Sequence, residues 1–282
     1  MKKIIFILLF TVITIVPAYS NGQAEISEKP VVAVSIVPEA TFVEKIAQDK
    51  VDIVTMIPKG SSPENYEPTP QQRIEFEDAS LYFSIGVPSE EFSILPMVGK
   101  NTKVIALADE VAKTYPSIYI GESRDPHIWL SPKRVLIMID VISDELSKID
   151  EANATFYKEN AESYKAEIEQ AIQDIEKSLE NVKGNSFLVY HPAFNYFAED
   201  FNLNMISIEE EGKEITPKTL ISIIDKAKEE GIKNIYYQAE IAAEQSIAFS
   251  KELGGQAILL DPLSPNYVDN LKIMANTLKD NF

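Results

Sequence analysis

One long segment near the middle of the chain has the pattern of apolar residues that is typical of an α-helix. Between Ala154 and Val182, apolar side chains recur at steps of three and four residues, and mostly charged or amide side chains fill the positions between them. This pattern predicts one amphipathic helix, capped by Asn153 at its start and ended by Lys183 and Gly184. At about 1.5 Å per residue this helix would be roughly 43 Å long, which is longer than a small domain is wide. We therefore expect it to link two bodies.

On both sides of this helix, short apolar runs alternate with helical segments. Each side contains four runs that are typical of buried β-strands. The runs cover residues 31–36, 51–57, 81–86 and 103–107 before the helix, and 186–190, 204–208, 234–238 and 256–260 after it. Helical connections between successive strands predict parallel sheets, in which ligands bind beyond the carboxyl ends of the strands. The expected fold is α/β: two lobes, each with a four-stranded, mostly parallel sheet flanked by helices, joined by one long rigid helix.

The expected boundaries follow from this pattern. Residues 1–20 contain a lysine-led apolar run and small residues before a cleavage point, which is typical of a secretory signal peptide. The polar segment after it is expected to form a flexible arm. The predicted boundaries place the arm at residues 21–30, the N-terminal lobe at 31–152, the linking helix at 153–183 and the C-terminal lobe at 184–282.

Composition narrows the location and the chemistry. The chain has no cysteine, which removes disulfides, thiol catalysis, Cys-ligated zinc and the lipid-anchored cysteine of a bacterial lipoprotein. Its net charge of −18 repels nucleic acid and attracts cations. We therefore expect a protein that is free in the periplasm after signal-peptide cleavage and that does not bind nucleic acid.

Four side chains with metal-binding chemistry lie in loops or at strand ends. The chain has only two histidines, and they lie on opposite sides of the long helix: His127 precedes a helix, and His191 ends a buried strand. Asp261 ends another strand of the second lobe, and Glu64 lies in a proline-stiffened loop. A single loop glutamate is more often a solvated acid, and a histidine such as His127 can be satisfied by the backbone alone. Together the four would make a four-coordinate site between the lobes.

Further polar residues are weaker candidates. Asp125 is placed to hold the second ring nitrogen of His127 and fix its tautomer, and Trp129 is expected in the core. An acidic run after a strand is either a solvated loop, a mobile flap that attracts cations, or the source of a substitute ligand. This run consists of Glu209, Glu210, Glu211 and Glu214. Gln238 and Glu240 follow another strand and have less support.

Four motifs, with a long helix between the second and the third, carry a family resemblance. They are GSSPENYEPTP (60–70), DPHIWLSP (125–132), VYHPAFNYFA (189–198) and LDPL (260–263). In this order they resemble the metal-specific solute-binding proteins of ABC transporters, the zinc and manganese type. The resemblance covers essentially the whole mature chain. It implies two lobes joined by a rigid helix, one divalent metal between them, and delivery to a membrane permease.

Residue by residue, the resemblance nominates Glu64, His127, His191 and Asp261 as metal ligands. The first motif of the family normally presents a histidine, whereas this chain has Glu64. Two histidines, Glu and Asp match the ligand inventory of manganese-type members in a different order, so the expected cargo is one divalent transition metal, zinc or manganese, with iron possible. The expected partner is the cognate ABC permease in the inner membrane, and the protein would be a monomer and not an enzyme.

Two alternatives stay open. A metal-dependent hydrolase would keep one coordination position open for an activated water, although the chain has no HExxH motif and two histidines are few for such a site. A binding protein of the same fold could instead take an organic or chelated ligand in a roomy apolar cleft. A closed set of four ligands would favour metal binding over both.

Overall fold

Two parallel sheets organise the protein, whose computed structural model describes residues 29–209, 216–241 and 243–282. The first sheet comprises β1 (Val31–Val34), β2 (Asp52–Thr55), β3 (Leu81–Ser84) and β4 (Lys103–Ala106). A short antiparallel pair follows, formed by β5 (Tyr119–Ile120) and β6 (Ser123–Arg124). The second sheet comprises β7 (Ser186–Val189), β8 (Asn204–Ser207), β9 (Ile235–Tyr237) and β10 (Ala257–Leu259). All eight predicted strands are confirmed within two residues at each end, and the antiparallel pair is an addition.

Both sheets have the same strand order. In the first, β1 lies between β2 and β3, and β4 is beside β3; in the second, β7 lies between β8 and β9, and β10 is beside β9. Neighbouring strands run parallel, with Val34 beside Thr55 and Val189 beside Ser207. The carboxyl ends of the strands in each sheet therefore meet at one edge, and the predicted α/β class is confirmed.

Helices cover the sheets and connect them. Those before the longest helix are α1 (Val37–Ala47), α2 (Pro70–Glu77), α3 (Leu107–Ala112) and α4 (Pro132–Ile149). The longest is α5 (Ala154–Ser178), and it is followed by α6 (Asn195–Phe201), α7 (Pro217–Glu229), α8 (Ala243–Glu252) and α9 (Tyr267–Lys279). Between β3 and β4, where the alternation of strands and helices predicts one helix, the chain forms a π-helical turn at Glu90–Ile94 and a 3₁₀ turn at Leu95–Met97. Pro96 explains the interruption, because it has no N–H for a helical hydrogen bond.

The long helix α5 contacts elements from both halves of the chain. It packs against α1 and α4 before it and against α9 after it. Its buried stripe consists of Tyr157, Ala161, Tyr164, Ile168, Ala171 and Ile175. Asn153 is at the N-cap position, but its side chain accepts no hydrogen bond from the helix; its amide N–H instead donates to Asp150 Oδ2 (2.7 Å).

One apolar core runs through both halves. The main cluster of buried apolar side chains extends from Val32 in β1 to Leu278 in α9 and includes most of the buried stripe of α5. A smaller cluster around Leu188, Ile208 and Ile235 lies within the second half. Because packed cores are not continuously deformable, the shared core opposes large motions of one half against the other.

The amino-terminal predictions fall on residues that are not described. The predicted signal peptide (1–20) and most of the predicted arm (21–30) lie outside the described residues. Within the described ranges, none of the helices has the length and apolar character needed to cross a membrane.

Candidate metal centre

Glu64 lies in a loop that is hydrogen-bonded to the segment after β3. The Ser89 hydroxyl donates to the Pro63 carbonyl (2.7 Å) and accepts from the Tyr66 backbone N–H (2.7 Å). The Ser93 hydroxyl donates to the Tyr66 carbonyl (2.8 Å). The Glu64 side chain is 28% exposed, so its carboxylate is open to the cleft. Two serines therefore position the loop on both sides of the glutamate.

His127 lies between β6 and α4, and its ring is buried. Asp125 Oδ1 is 2.8 Å from His127 Nδ1 and also accepts from the His127 backbone N–H (2.9 Å). Asp125 Oδ2 accepts from the Asn195 amide (2.9 Å), and the Tyr196 hydroxyl donates to the Asp125 carbonyl (3.2 Å). The contact predicted between Asp125 and the His127 ring is therefore present, and it leaves Nε2 available to a ligand.

His191 follows β7 at the carboxyl edge of the second sheet. Its Nδ1 lies 3.0 Å from Glu209 Oε2, and Glu209 follows the neighbouring strand β8. The strand register pairs Val189 with Ser207, so the residues two positions further along lie side by side. The parallel topology itself thus brings the carboxylate to Nδ1 of the ring, and His191 Nε2 is directed to His127.

The three side chains Glu64, His127 and His191 converge between the two halves. The two Nε2 atoms are 3.2 Å apart, and Glu64 Oε1 is 3.6 Å from His191 Nε2. One ligand atom from each of the three lies within 4.8 Å of the others. Tetrahedral ligands at ~2.1 Å from Zn²⁺ are roughly 3.4 Å apart, so these separations suit one shared ion.

The carboxylates behind the rings decide which nitrogens can bind a metal. Asp125 and Glu209 accept hydrogen bonds, which assigns the proton of each neutral imidazole to Nδ1 and the lone pair to Nε2. Two lone pairs 3.2 Å apart repel one another, and a cation between them removes this repulsion. Glu64 adds an anionic oxygen to the two nitrogens. The set can therefore hold a divalent transition metal.

Asp261 lies at the carboxyl edge of the second sheet but is not a member of this cluster. Its Oδ1 accepts from the Leu263 backbone N–H (3.0 Å). The carbonyl of the next residue, Pro262, accepts from the Trp129 indole (2.8 Å), and the Trp129 and His127 ring centroids are 5.3 Å apart. The structure therefore brings three of the four predicted ligands together, and it places Asp261 next to a residue that contacts the His127 segment through Trp129.

The weaker candidates lie around the cluster. Trp129 is buried, as predicted. Gln238 is buried and bridges Ile241 through its backbone, and Glu240 is partly buried; neither is in the three-residue group found among the described residues. Of the acidic run, Glu209 contacts His191, whereas Glu210, Glu211 and Glu214 lie outside the described residues.

Two contacts of the site were missed by sequence reasoning. The pairing of Glu209 with His191 had a usable signal, because both residues follow adjacent parallel strands by the same number of positions. The contact of Asn195 with Asp125 had none, because it joins residues 70 positions apart in different halves. A contact such as that between Asn195 and Asp125 depends on how the two halves of the chain pack against each other.

The cluster lies in the wall of a cleft with a volume of about 520 Å³. Glu91, Phe92 and Arg124 contribute to the same wall. The Phe92 side chain is 77% exposed, so an apolar ring borders the opening. An ion can therefore reach the three ligands from the solvent.

The first sheet ends in a buried carboxylate network. Glu39 Oε2 accepts from the backbone N–H groups of Ser35 (3.0 Å) and Ile36 (3.1 Å). Glu90 accepts from two backbone N–H groups after β3 (2.8 and 2.9 Å) and from the Ser35 hydroxyl. Burial raises the pKa of Glu39 well above its ordinary value, and the negative charge of Glu90 raises it further. Burial also raises the pKa of Glu90.

Known proteins share this architecture. The family model of the periplasmic zinc-uptake complex component A, ZnuA, matches residues 32–281. A crystal structure of ZnuA is 32% identical to the chain, covers 90% of it and 99% of its own length, and superposes with a TM-score of 0.83. The high-affinity zinc uptake system protein ZnuA of Bacillus subtilis (strain 168) is 25% identical over 288 residues, which is 93% of this chain and 90% of that protein.

A third relative shares the fold. The Mn-bound periplasmic metal binding protein from Candidatus Liberibacter asiaticus is 24% identical, with a TM-score of 0.79 over 89% of this chain and 99% of its own. The family suggested by the four motifs is confirmed by the match over residues 32–281. The chain therefore belongs to the ZnuA family of periplasmic zinc-uptake components.

Proposed function

We propose that this protein captures a divalent transition metal between its two halves and delivers it to an ABC permease. The observation that carries the proposal is the separation of 3.2 Å between His127 Nε2 and His191 Nε2, with each Nδ1 directed to a carboxylate. Membership of a zinc-uptake family supports the transport role. Glu64, His127 and His191 are the proposed ligands.

Asp261 is the proposed fourth ligand. It follows β10 at the same edge as His191, and its Oδ1 accepts from the backbone N–H of Leu263. Rotation of a short side chain needs far less rearrangement than motion of a sheet within the shared core. With Glu64, Asp261 would neutralise a divalent ion and complete a four-coordinate site.

Zinc is the metal that we expect to bind most tightly. Imidazole and carboxylate ligands suit zinc, manganese and iron, but the affinity order of divalent metals places zinc above the other two. The choice of zinc is supported by relatives that are named for zinc uptake, such as the high-affinity zinc uptake system protein of Bacillus subtilis. Manganese would compete in proportion to its availability.

The proposed setting is the periplasm. The lysine-led apolar run in residues 1–20 supports export, and the absence of cysteine supports a free rather than a lipid-anchored protein. The proposed partner is an inner-membrane permease, and the protein would act as a monomer. Membership of a transport family does not favour the hydrolase alternative. The close spacing of the ligand atoms favours a bare ion over an organic ligand.

Zinc titration with a competing chromophoric chelator tests the ligand set. Glu64→Gln is expected to weaken zinc binding at least tenfold, because an anionic ligand is replaced by a weak neutral one. Glu91→Gln is the matched control, since Glu91 lines the same cleft outside the cluster. If Glu64→Gln kept wild-type affinity, Glu64 would not be a ligand.

The same titration tests the fourth ligand. Asp261→Asn is expected to weaken zinc binding, whereas Asp269→Asn, in the exposed first turn of α9, is expected to leave it unchanged. Unchanged affinity in Asp261→Asn would leave three protein ligands. A wild-type protein that bound no zinc, manganese or iron would overturn the proposed function itself.

A further inference from the structure

Arg134 and Asp200 join the two halves beside the His127 segment. Arg134 belongs to the first turn of α4 and Asp200 to α6, and both side chains are almost completely buried. The guanidinium pairs with Asp200 Oδ1 (3.5 Å) and Glu199 Oε2 (2.6 Å). It also lies over the rings of Tyr196 (4.7 Å to the centroid) and Tyr115 (5.1 Å). Buried charges are costly unless paired, so this arrangement strongly favours one relative position of α4 and α6.

Asp200 also holds the start of α4 directly. Its Oδ2 accepts from the Ser131 hydroxyl (2.7 Å) and from the Lys133 backbone N–H (3.3 Å). The Lys133 ammonium donates to the Asp200 carbonyl (3.0 Å). Ser131 lies four residues after His127 and caps α4 by accepting from the Arg134 N–H (3.1 Å). One carboxylate of the second half therefore fixes the segment that follows the histidine.

The start of α6 reaches the partner of His127 as well. Asn195 donates to Asp125 Oδ2 (2.9 Å), and the Tyr196 hydroxyl donates to the Asp125 carbonyl (3.2 Å) while accepting from the Ile118 N–H (3.1 Å). The same short helix thus carries the contacts to Arg134 and the contacts to Asp125. A shift of α6 would disturb both.

A second set of bonds holds the segment through Trp129. The Trp129 indole donates to the Pro262 carbonyl (2.8 Å), and the Tyr267 hydroxyl donates to the Trp129 carbonyl (2.7 Å). Pro262 and Tyr267 both belong to the second half. His127 is therefore bracketed by bonds to the half that carries His191, although it precedes the long helix in sequence.

Glu64 is held differently. The bonds that position its loop come from Ser89 and Ser93, which belong to the first half. Its carboxylate is 3.6 Å from His191 Nε2, which is beyond hydrogen-bond distance. The side chain is 28% exposed, whereas the His127 and His191 side chains are 8% and 5% exposed. Of the three clustered ligands, Glu64 has the most freedom to move.

We propose that Arg134 and Asp200 are positioning residues that hold His127 against His191, so that the metal-free protein already contains a two-histidine half site and Glu64 completes it on capture. The proposal rests on the proposed metal-binding function. It assigns capture and release to movement of the Glu64 side chain, while the imidazole pair stays in place. This division fits the shared core, which opposes large motions of the halves.

The histidine content of the chain provides a direct test. There are two histidines, and both lie in the site, so ¹⁵N-histidine NMR of the metal-free protein reports two imidazoles only. In the wild type, both rings are expected to show the Nδ1–H tautomer. In Asp200→Asn, the His127 signals are expected to shift toward a mixture of tautomers, and the His191 signals, supported by Glu209, to change less. Zinc affinity is expected to fall about tenfold, as for loss of an outer partner of a metal ligand.

Two further variants make the result decisive. Glu145→Gln is the control: Glu145 is a buried carboxylate of the same helix α4, paired with Lys103 and Lys148 and not with α6. It is expected to lower the melting temperature but to leave both imidazole spectra and the zinc affinity unchanged. Tyr196→Phe keeps the ring over Arg134 and removes the hydroxyl contact with Asp125, so it should alter the His127 signals with little loss of stability.

Different results would contradict the positioning role and the metal-binding function. Wild-type imidazole spectra and zinc affinity in Asp200→Asn would overturn the positioning role. If Asp200→Asn did not fold, Ser131→Ala, which removes the hydroxyl that donates to Asp200 Oδ2, would decide the matter, and wild-type spectra and affinity in that variant would overturn the role. A wild-type protein that bound no metal would instead overturn the proposed function, and its metal-free spectra would still report whether the two rings are held.

Discussion

The two sheets have the same strand order but use their carboxyl edges differently. In the first sheet, Glu39 and Glu90 turn inward and accept hydrogen bonds from backbone N–H groups and from Ser35. In the second sheet, His191 follows β7 and lines the cleft, and Asp261 follows β10 at the same edge. One topology can thus produce a sealed edge or a binding edge, according to the residues that follow the strands.

Proline contributes to this difference. His191 and Asp261 are each followed by proline, which has no backbone N–H and disfavours a helix at the preceding residue. At the first sheet, α1 begins within three residues of β1, and the Glu39 carboxylate of its first turn accepts from the backbone N–H groups of Ser35 and Ile36 in the connection. The two proposed metal ligands of the first half, Glu64 and His127, therefore lie in loops and not at this edge.

The largest loss of zinc affinity is expected from a change at the carboxyl edge of the second sheet, where His191 lies. His191→Ala removes a nitrogen ligand and is expected to weaken zinc binding by more than the 10–100-fold typical of losing an outer partner. Glu240→Gln, after β9 at the same edge but outside the cluster, is the control and should bind zinc normally. Chelator competition measures both. Wild-type affinity in His191→Ala would show that the carboxyl edge of the second sheet does not bind the metal through His191.

A smaller loss of zinc affinity is expected when Asp125 or Glu209, the two carboxylates that contact the imidazole rings, is removed, and the loss should differ between them. Asp125→Ala is expected to cost zinc affinity toward the upper end of a roughly 10–100-fold range, and Glu209→Ala toward the lower end. Asp125 is 1% exposed and also accepts from Asn195, whereas the Glu209 side chain is 14% exposed and water can replace it. The same titration measures both variants. A larger loss in Glu209→Ala would show that the loop-borne carboxylate controls its ring more strongly than the buried one.

The smallest effect on zinc affinity is expected from a change at Glu39, at the carboxyl edge of the first sheet. The pKa of Glu39 is raised in the folded protein, so the native state holds this proton more tightly than the unfolded chain does. The resulting stability is fully present below the ordinary value of 4.5 and is lost as pH rises through the raised pKa. Glu39→Gln stays neutral, and its amide oxygen can accept the two backbone N–H bonds. It should therefore gain stability over the wild type as pH rises.

Thermal unfolding between about pH 5 and pH 8 measures this gain. Zinc affinity is expected to be unchanged in Glu39→Gln, because Glu39 is not part of the metal-binding cluster. Parallel pH profiles for the two proteins would contradict the assigned role of burial. A loss of zinc affinity would show that the two edges are coupled.

Much of the fold follows from local pattern. The eight strands and α5 were predictable because buried strands and a long amphipathic stripe have periodic signals of their own. α3 was missed because LADEVA is too short to show a helical period, and the β5–β6 pair consists of two-residue strands. The capping hydrogen bond predicted for Asn153 is absent, because its side chain is turned to donate to Asp150.

The family, the α/β class and the candidate metal ligands could be predicted from the sequence alone, because strand ends, prolines and the two histidines are local features. Which of the candidate ligands meet depends on the tertiary structure. It brought Glu64, His127 and His191 together, left Asp261 outside the cluster, and tied the His127 segment to the second half through Asp200. These contacts join residues distant in the chain, so they depend on packing across the long helix and leave no periodic signal in either segment.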